Sequence, residues 1–259
     1  MKYTLLFYII FSVSGFAQES IEAKFLGETV LNADTLISID NFGTYYYLKG
    51  NVIHKKTDIK NITYSNLQLG TIQSANAFNP LKINLFYKDF NTVIILDNRL
   101  AEIFKIDFNA INAYKNVSHI STGYDNTIWI FNQDLQKLEL FDYKNQTTRA
   151  QTVPVQSEVL DLKSNYNFCW LLTKNYLYTY NYFGSLVSKI KNTGYTALIE
   201  SNGNIILKKE NTLFYLAKNS NKITPIRSTN LLINQFFVTN ETLYLYTDKT
   251  LQKFQLKTN

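Results

Sequence analysis

Hairpin-like segments recur along this chain at a nearly constant spacing, and this recurrence limits the possible folds more than any other feature. In each segment two apolar-rich runs of strand length flank a short polar turn, as between Pro80 and Asn98. The turns lie at Gly50-Asn51, Asp89-Phe90-Asn91, Asn132-Gln133-Asp134, Lys174-Asn175, Glu210-Asn211 and Asp248-Lys249. Successive turns are about 36 to 42 residues apart, a repeat length typical of the four-stranded blade of a β-propeller.

A further strand candidate precedes each hairpin, and a polar, looser one follows it. We therefore predict an all-β fold, a six-bladed β-propeller of four-stranded antiparallel blades, with residues 18–259 as its single domain. A seven-bladed ring with one degenerate blade and an open two-sheet sandwich are the alternatives. Because no strand remains after the last hairpin, Ile21 to Leu31 is predicted to supply the outer strand of the last blade.

Strand-forming residues dominate the periodic segments, and no long segment has a helical apolar stripe. The run from Thr92 to Leu96 is almost wholly apolar, which predicts a strand covered on both faces. Such strands are expected in the middle of stacked blades, since one blade cannot bury its faces alone.

The first residues have the pattern of a secretory signal peptide, predicted to span residues 1–17. Lys2 is followed by an apolar run and by small residues that end at Ala17. The run is shorter than the roughly 20 residues of a membrane anchor, and no later segment of the mature chain resembles a transmembrane span. We predict export to the periplasm; secretion or attachment to the outer membrane is the alternative.

The charge and the single cysteine argue against several classes of protein. The formal net charge is +6, but the lysines are scattered, whereas nucleic-acid binders concentrate them on one face. No nucleic-acid partner is therefore predicted. Cys169 has apolar neighbours, which indicates a buried packing thiol, and no disulfide can form within the chain.

Few residues offer catalytic or metal-binding chemistry. Ligands for zinc or iron would come mainly from His54, His119 and Cys169, and of these only His119 lies in a predicted inner strand facing the channel. Carboxylates near predicted inner turns could form a glycosidase pair, but acidic residues there are more often turn formers. These carboxylates are Asp40, Asp125, Glu200 and Glu241. No catalytic residue, metal site or cofactor is predicted.

Aromatic side chains fall in predicted turns, where burial is not expected. They are Phe42, Phe90, Tyr124, Tyr166, Tyr176, Tyr182 and Phe183. Exposed aromatics beside Asn and Lys suit protein interfaces. Equivalent turns of a propeller share a face, so we predict a partner-binding face formed by Tyr87, Lys88, Asp89, Phe90, Asn91, Lys174, Asn175, Tyr176, Asp248 and Lys249.

The blade pattern resembles degenerate β-propellers with quinoprotein-like and NHL-like repeats, although a recurrent Trp-Asp pair and repeat-marking glycines are missing. The segment from Asn79 to Ile103 resembles small exported propellers of Bacteroidota, a group that extends to the periplasmic plug subunits of type 9 secretion translocons. Predicted export, the lack of catalytic motifs and the aromatic residues in turns favour a non-catalytic subunit of an envelope or outer-membrane protein complex, monomeric when isolated. The alternative is an envelope propeller that binds carbohydrate or another small ligand, as a sensor or a glycan-active enzyme.

Overall fold

A computed structural model describes residues 20–227 and 232–257. The predicted signal peptide, residues 1–17, lies outside this range. Twenty-four strands account for nearly all regular structure within it, and the only helical segment there is a 3-10 turn at Lys88–Phe90. No helix in the described part of the chain is both long and apolar enough to cross a membrane.

Sixteen of the strands form four separate antiparallel blades, in each of which four consecutive strands lie side by side. The first blade consists of β2 (Thr35–Ile39), β3 (Tyr45–Lys49), β4 (Val52–Lys56) and β5 (Asn61–Tyr64), and the second of β6 (Ser74–Asn76), β7 (Ile83–Tyr87), β8 (Thr92–Leu96) and β9 (Glu102–Asp107). The third blade consists of β10 (Val117–Thr122), β11 (Thr127–Asn132), β12 (Lys137–Asp142) and β13 (Thr147–Gln151). The fourth blade consists of β14 (Val159–Ser164), β15 (Phe168–Thr173), β16 (Tyr176–Asn181) and β17 (Leu186–Lys191).

The other eight strands form one continuous sheet in the order β18-β19-β20-β21-β1-β24-β23-β22. They are β1 (Ile21–Val30), β18 (Ala197–Ser201), β19 (Asn204–Lys209), β20 (Thr212–Leu216), β21 (Ile223–Arg227), β22 (Gln235–Thr239), β23 (Thr242–Thr247) and β24 (Thr250–Lys257). Apolar side chains of β19 to β21 pack against those of β22 to β24, so the sheet folds onto itself.

The predicted blade count is wrong. The structure has four four-stranded blades and an eight-stranded sheet, rather than six or seven separate blades. The cause is β1, which pairs antiparallel with β24 along its length and also pairs in parallel with β21 at Ile21 and Glu22. This second pairing joins strands that the repeat alone assigns to different blades.

Three other fold predictions are confirmed. The segment predicted to complete the last blade is β1, which lies beside β24. Each predicted hairpin turn separates two paired strands, from β3 and β4 to β23 and β24. Every residue of β8 is buried, as expected for a strand covered on both faces.

The apolar core is divided among the interfaces between neighbouring sheets. One cluster joins the first and second blades around Tyr46 and Leu85, and another joins the second and third around Phe86 and Phe141. Comparable clusters follow around the molecule, and the last packs the eight-stranded sheet on the first blade. Each sheet therefore depends on both neighbours for burial of its faces.

Candidate functional site

Six strands surround a central channel in a propeller-like arrangement. They are β2, β6, β10 and β14, which begin the four blades, and β18 and β22, the edge strands of the eight-stranded sheet; each contacts its neighbours around the ring. Their side chains enclose a central cavity of about 210 Å³.

Charged groups that line the central cavity are largely paired with protein groups. Asp161 Oδ1 accepts from Lys163 Nζ at 2.7 Å, and Asp161 Oδ2 accepts from the Leu198 amide at 2.9 Å. Glu200 Oε1 accepts from Asn165 Nδ2 at 2.9 Å and from the Gly203 amide at 2.7 Å. These carboxylates therefore also tie β14 to β18 and brace the adjoining turns.

His119 lines the cavity, as predicted, with Nδ1 2.9 Å from Ser118 Oγ. Burial lowers the pKa of His119; the nearby Asp161 opposes this shift, while Lys88 and Lys163 add to it. The ring is consequently neutral at pH 7.

The two other candidate ligands lie elsewhere. His54, on β4, stacks on Tyr47 with ring centroids 4.8 Å apart. Cys169 is fully buried in the cluster between the third and fourth blades, and burial raises its thiol pKa, which confirms the predicted packing thiol. Within residues 20–227 and 232–257, His, Cys, Asp and Glu side chains form no group of three able to hold a metal ion.

The four candidate carboxylates do not converge. Glu200 lines the central cavity, whereas the other three are absent from its described lining. Asp40 Oδ1 accepts from the amides of Phe42 and Thr44, each at 2.9 Å, which is the turn-forming role expected for such residues. Asp125 is exposed in the β10–β11 turn.

The turns between second and third strands of the blades lie at one end of the molecule, together with the connections that lead into the next blade. We call this the hairpin-turn face; its main segments are 49–51, 65–73, 88–91, 108–116, 133–136, 152–158, 174–175 and 248–249. Hydrogen bonds link them, including those from the Gln133 amide to Asn116 O at 2.8 Å and from the Lys174 amide to Glu158 O at 2.9 Å.

The predicted partner-binding residues all lie on or beside this face, with very different exposure. Lys88, Asp89 and Phe90 form the exposed 3-10 turn. Five further residues of the set are exposed or half-buried, namely Lys174, Asn175, Tyr176, Asp248 and Lys249. Tyr87 and Asn91 are buried, so they are placed to support the turn rather than to touch a partner. Partner binding by this set stays a prediction.

Asn91 joins the second blade to the segment that enters the third. Its Nδ2 donates to Lys115 O at 2.7 Å, and its Oδ1 accepts from the Val117 amide at 3.1 Å. Asn51 repeats this arrangement one blade earlier, with Nδ2 donating to Gly70 O and Oδ1 accepting from the Ile72 amide at 2.8 Å. The recurrent turn asparagines are thus clamps between blades.

Lys88 connects this face with the channel, because it lines both the central cavity and an adjoining cleft of about 390 Å³. Gln133, Gln136 and Glu158 also line this cleft. Sequence reasoning missed it because its walls come from three consecutive blades.

Sequence reasoning also missed several exposed apolar side chains on the hairpin-turn face. They are Leu67 (91% exposed), Tyr114 (57%), Leu135 (48%) and Val153 (73%). Phe90, which was predicted to be exposed, is 47% exposed, and its ring lies beside Gly70. At the other end of the blades, Phe42, Tyr166 and Phe183 are exposed as expected.

Comparisons with solved structures establish a propeller-like fold. A catalytically inactive virginiamycin B lyase from Staphylococcus aureus, solved with quinupristin, aligns with a TM-score of 0.62 and 12% identity over 95% of this chain and 97% of its own. A chain of a mitotic checkpoint complex aligns at 0.57 and 10% identity over 98% and 99%. BamB from Moraxella catarrhalis aligns at 0.50 and 13% identity over 88% and 72%. No protein-family model matches the sequence, and neither does any curated protein.

Proposed function

We propose that this protein is a non-catalytic interaction subunit of the cell envelope that docks a partner protein on its hairpin-turn face. The observation that supports this most directly is the exposure of Leu67, Phe90, Tyr114, Leu135 and Val153 in adjoining loops of that face. Exposed apolar side chains on neighbouring loops are typical of protein-binding sites, and aromatic residues supply much of the energy at such interfaces. Exposed apolar residues also lie at the other end of the blades, among them Phe42, Ile59 and Phe183, so the variants at the two ends described below decide between the faces.

The hydrogen bonds between these loops hold the surface in shape before binding. Asn91 joins the turn that bears Phe90 to the loop that bears Tyr114. The Val155 amide donates to Gln136 O at 2.6 Å and so joins the loop that bears Val153 to the turn that bears Leu135. A preformed surface loses little conformational entropy when it binds, which favours stable association.

Exposed lysines lie on the same face as the apolar side chains. Lys88 and Lys174 are exposed, at the same ends of the second and fourth blades. Protein interfaces combine apolar and polar contacts of this kind.

We place the partner in an envelope or outer-membrane complex reached by export to the periplasm. The signal-peptide pattern of residues 1–17 supports export. The sequence resemblance to exported propellers makes the type 9 secretion translocon the first complex to test.

Affinity purification of the tagged full chain from its own envelope tests this proposal. We expect a partner to co-purify in fixed stoichiometry with the wild type and to be lost from the combined variant Lys88→Glu, Phe90→Ala, Lys174→Glu. The matched control, Lys60→Glu, Phe42→Ala, Lys144→Glu, changes the same residue types at exposed turns on the opposite ends of the strands. Equal recovery of the partner by both variants would contradict docking on the hairpin-turn face.

A further inference from the structure

The size of the central cavity limits what it can hold. Its volume is about 210 Å³, whereas pockets for drug-sized ligands have roughly 300–1,000 Å³. A single six-membered ring with its substituents, or a molecule of similar size such as an amino acid, fits this volume.

The electrostatics of the cavity favour an uncharged occupant. The Asp161 carboxylate has partners on both oxygens, and one of them is the Lys163 ammonium. Glu200 accepts two hydrogen bonds from protein groups, and the His119 ring is neutral at pH 7 because burial lowers its pKa. Lys88, at the hairpin-turn end, is the exposed cation of the lining. With two carboxylates, Asp161 and Glu200, and two ammonium groups, Lys88 and Lys163, the lining carries no net charge that would attract an ion.

Neutral polar groups supply the hydrogen bonding instead. Ser38, Gln73 and Ser74 line the cavity. Ser118, Ser164 and Asn76 line it too, but their side chains already bond protein groups. Ser38 is only 8% exposed, and its Oγ has no hydrogen-bond partner among the described residues. Hydroxyl and amide groups both donate and accept, as the hydroxyls of a sugar do.

An aromatic ring lies at one mouth of the cavity. Phe78 follows β6, lines the cavity and is 42% exposed. Tyr166 holds it in an edge-to-face contact, with ring centroids 5.2 Å apart and an interplanar angle of 82°. An exposed ring face beside hydroxyl and amide groups offers apolar contact to the C–H face of a sugar while its hydroxyls are hydrogen-bonded.

We infer that the central cavity binds a single neutral sugar ring, entered from the mouth at Phe78. The mouth at Phe78 lies away from the proposed docking surface, since Phe78 and Phe90 lie beyond opposite ends of β7. Lys88 belongs to the docking surface and also lines the cavity, so the cavity is tested with variants of Phe78 and Ser74, which leave the docking surface unchanged.

Binding can be tested with isothermal titration calorimetry and saturation-transfer NMR on the full mature chain. Glucose, galactose, mannose and N-acetylglucosamine serve as neutral probes, and glutamate, lysine and inorganic phosphate as charged ones. We expect saturable binding of at least one sugar at a single site per chain, and weaker binding or none for the charged probes.

Variants then locate the site. Phe78→Ala is expected to weaken sugar binding by roughly tenfold through loss of the ring contact, and Ser74→Leu is expected to abolish it by filling the cavity from β6. Phe42→Ala, which removes a ring that is 95% exposed in the β2–β3 turn, is the matched control and should bind as the wild type does.

Three results would overturn the inference: no saturable binding of any of the four sugars, tighter binding of a charged probe, or sugar binding that survives both cavity variants. Circular dichroism and thermal unfolding establish that each variant is folded. If Ser74→Leu does not fold, sugar binding by Phe78→Ala alone tests the site. The Phe78 side chain is partly exposed and can be truncated without opening the core.

Discussion

Asn91, in the hairpin turn of the second blade, is joined to Lys115, in the segment that enters the third blade, by a hydrogen bond of 2.7 Å from its side-chain amide to the Lys115 carbonyl oxygen. Asn91 also adopts a left-handed backbone conformation, with φ of 48°. The residue therefore meets two requirements, since asparagine tolerates this conformation better than most residues and its side chain reaches the next blade.

The first prediction concerns this clamp. Asn91→Ala is expected to lower the free energy of unfolding by about 2 to 4 kcal/mol. It leaves buried backbone groups without a hydrogen-bond partner and places alanine in a strained conformation. Asn91→Gly removes the same hydrogen bonds but relieves the backbone strain, so it should be the milder change. Urea denaturation measures both. Surface substitutions usually change the free energy of unfolding by no more than about 0.5 kcal/mol. A loss no larger than that would contradict a clamp role.

The second prediction concerns Lys82, a buried residue of the second blade. Its Nζ donates to the carbonyl oxygens of Gly123 at 2.8 Å, Asp125 at 2.7 Å and Thr127 at 3.2 Å in the third blade. Burial lowers the pKa of Lys82 to about 8 from 10.5, and the nearby Asp125 carboxylate only partly opposes this shift.

The sign of the pH effect follows from that shift. Between pH 8 and 10.5 the unfolded chain binds a proton at Lys82 that the folded chain has released, so this residue's contribution to the free energy of unfolding rises with pH. The slope has an upper limit of about 1.4 kcal/mol per pH unit. Comparison of the wild type with Lys82→Met by urea denaturation across this range measures it. A constant difference between the two proteins would show that the folded-state pKa is ordinary.

The third prediction concerns the buried ion pair of Lys115 and Glu139, whose Nζ and Oε2 atoms are 2.5 Å apart. Glu139→Gln leaves the ammonium buried without its countercharge and should cost about 3 to 5 kcal/mol. The double variant Lys115→Met, Glu139→Leu should lose less, because no unpaired charge is left behind. A double variant that loses as much as Lys115→Met and Glu139→Leu lose separately, added together, would show that the pair does not act as a unit.

The same carboxylate predicts acid sensitivity. Burial by itself would raise the pKa of Glu139, but hydrogen bonds from Lys115, Thr148 and Asn132 outweigh it and hold the pKa below 4.5. Its stabilising contribution is therefore present above pH 4.5 and is lost as the pH falls through the lower, folded-state pKa. The stability difference between the wild type and Glu139→Gln should shrink over that acidic range.

The fourth prediction concerns the junction between the ends of the chain. The Tyr246 hydroxyl is 2.8 Å from Leu31 O and 2.6 Å from Ala33 O, and it accepts from the Ala33 amide at 3.1 Å. Tyr246→Phe should cost about 1 to 3 kcal/mol, because these buried backbone groups lose their partner. Tyr244→Phe, on the same strand but outside this network, is the control for thermal unfolding. Equal melting temperatures of the two variants would contradict the assigned role.

Much of the local structure was predictable because it depends on short-range patterns. Alternating or continuous apolar runs bounded by Gly, Asn and Asp predict strands and tight turns, and the turn at Lys174-Asn175 lies between β15 and β16 as expected. The positions of His119 on the channel and of Cys169 in a packed cluster also followed from such patterns. The position of β1 beside β24 followed from the number of strands that the repeat requires.

The site could be predicted only in part. Phe90 and Lys88 were recognisable as turn residues, but nothing in their neighbours along the chain shows that Lys88 lines the central cavity with His119. Asn91 lies in a polar turn and was predicted to touch a partner, yet it is buried and joins two blades. Each of these facts depends on a contact with a different blade.

The sequence by itself determined the strands, the turns and the repeat of about 40 residues, because those follow from side-chain periodicity and turn chemistry over a few neighbouring residues. Only the tertiary structure decided how the sheets join and what the channel contains. The two-sided pairing of β1 merges eight strands into one sheet, and the cavity takes its lining from six strands far apart in sequence. Contacts of that kind depend on how whole sheets pack, and no local pattern encodes them.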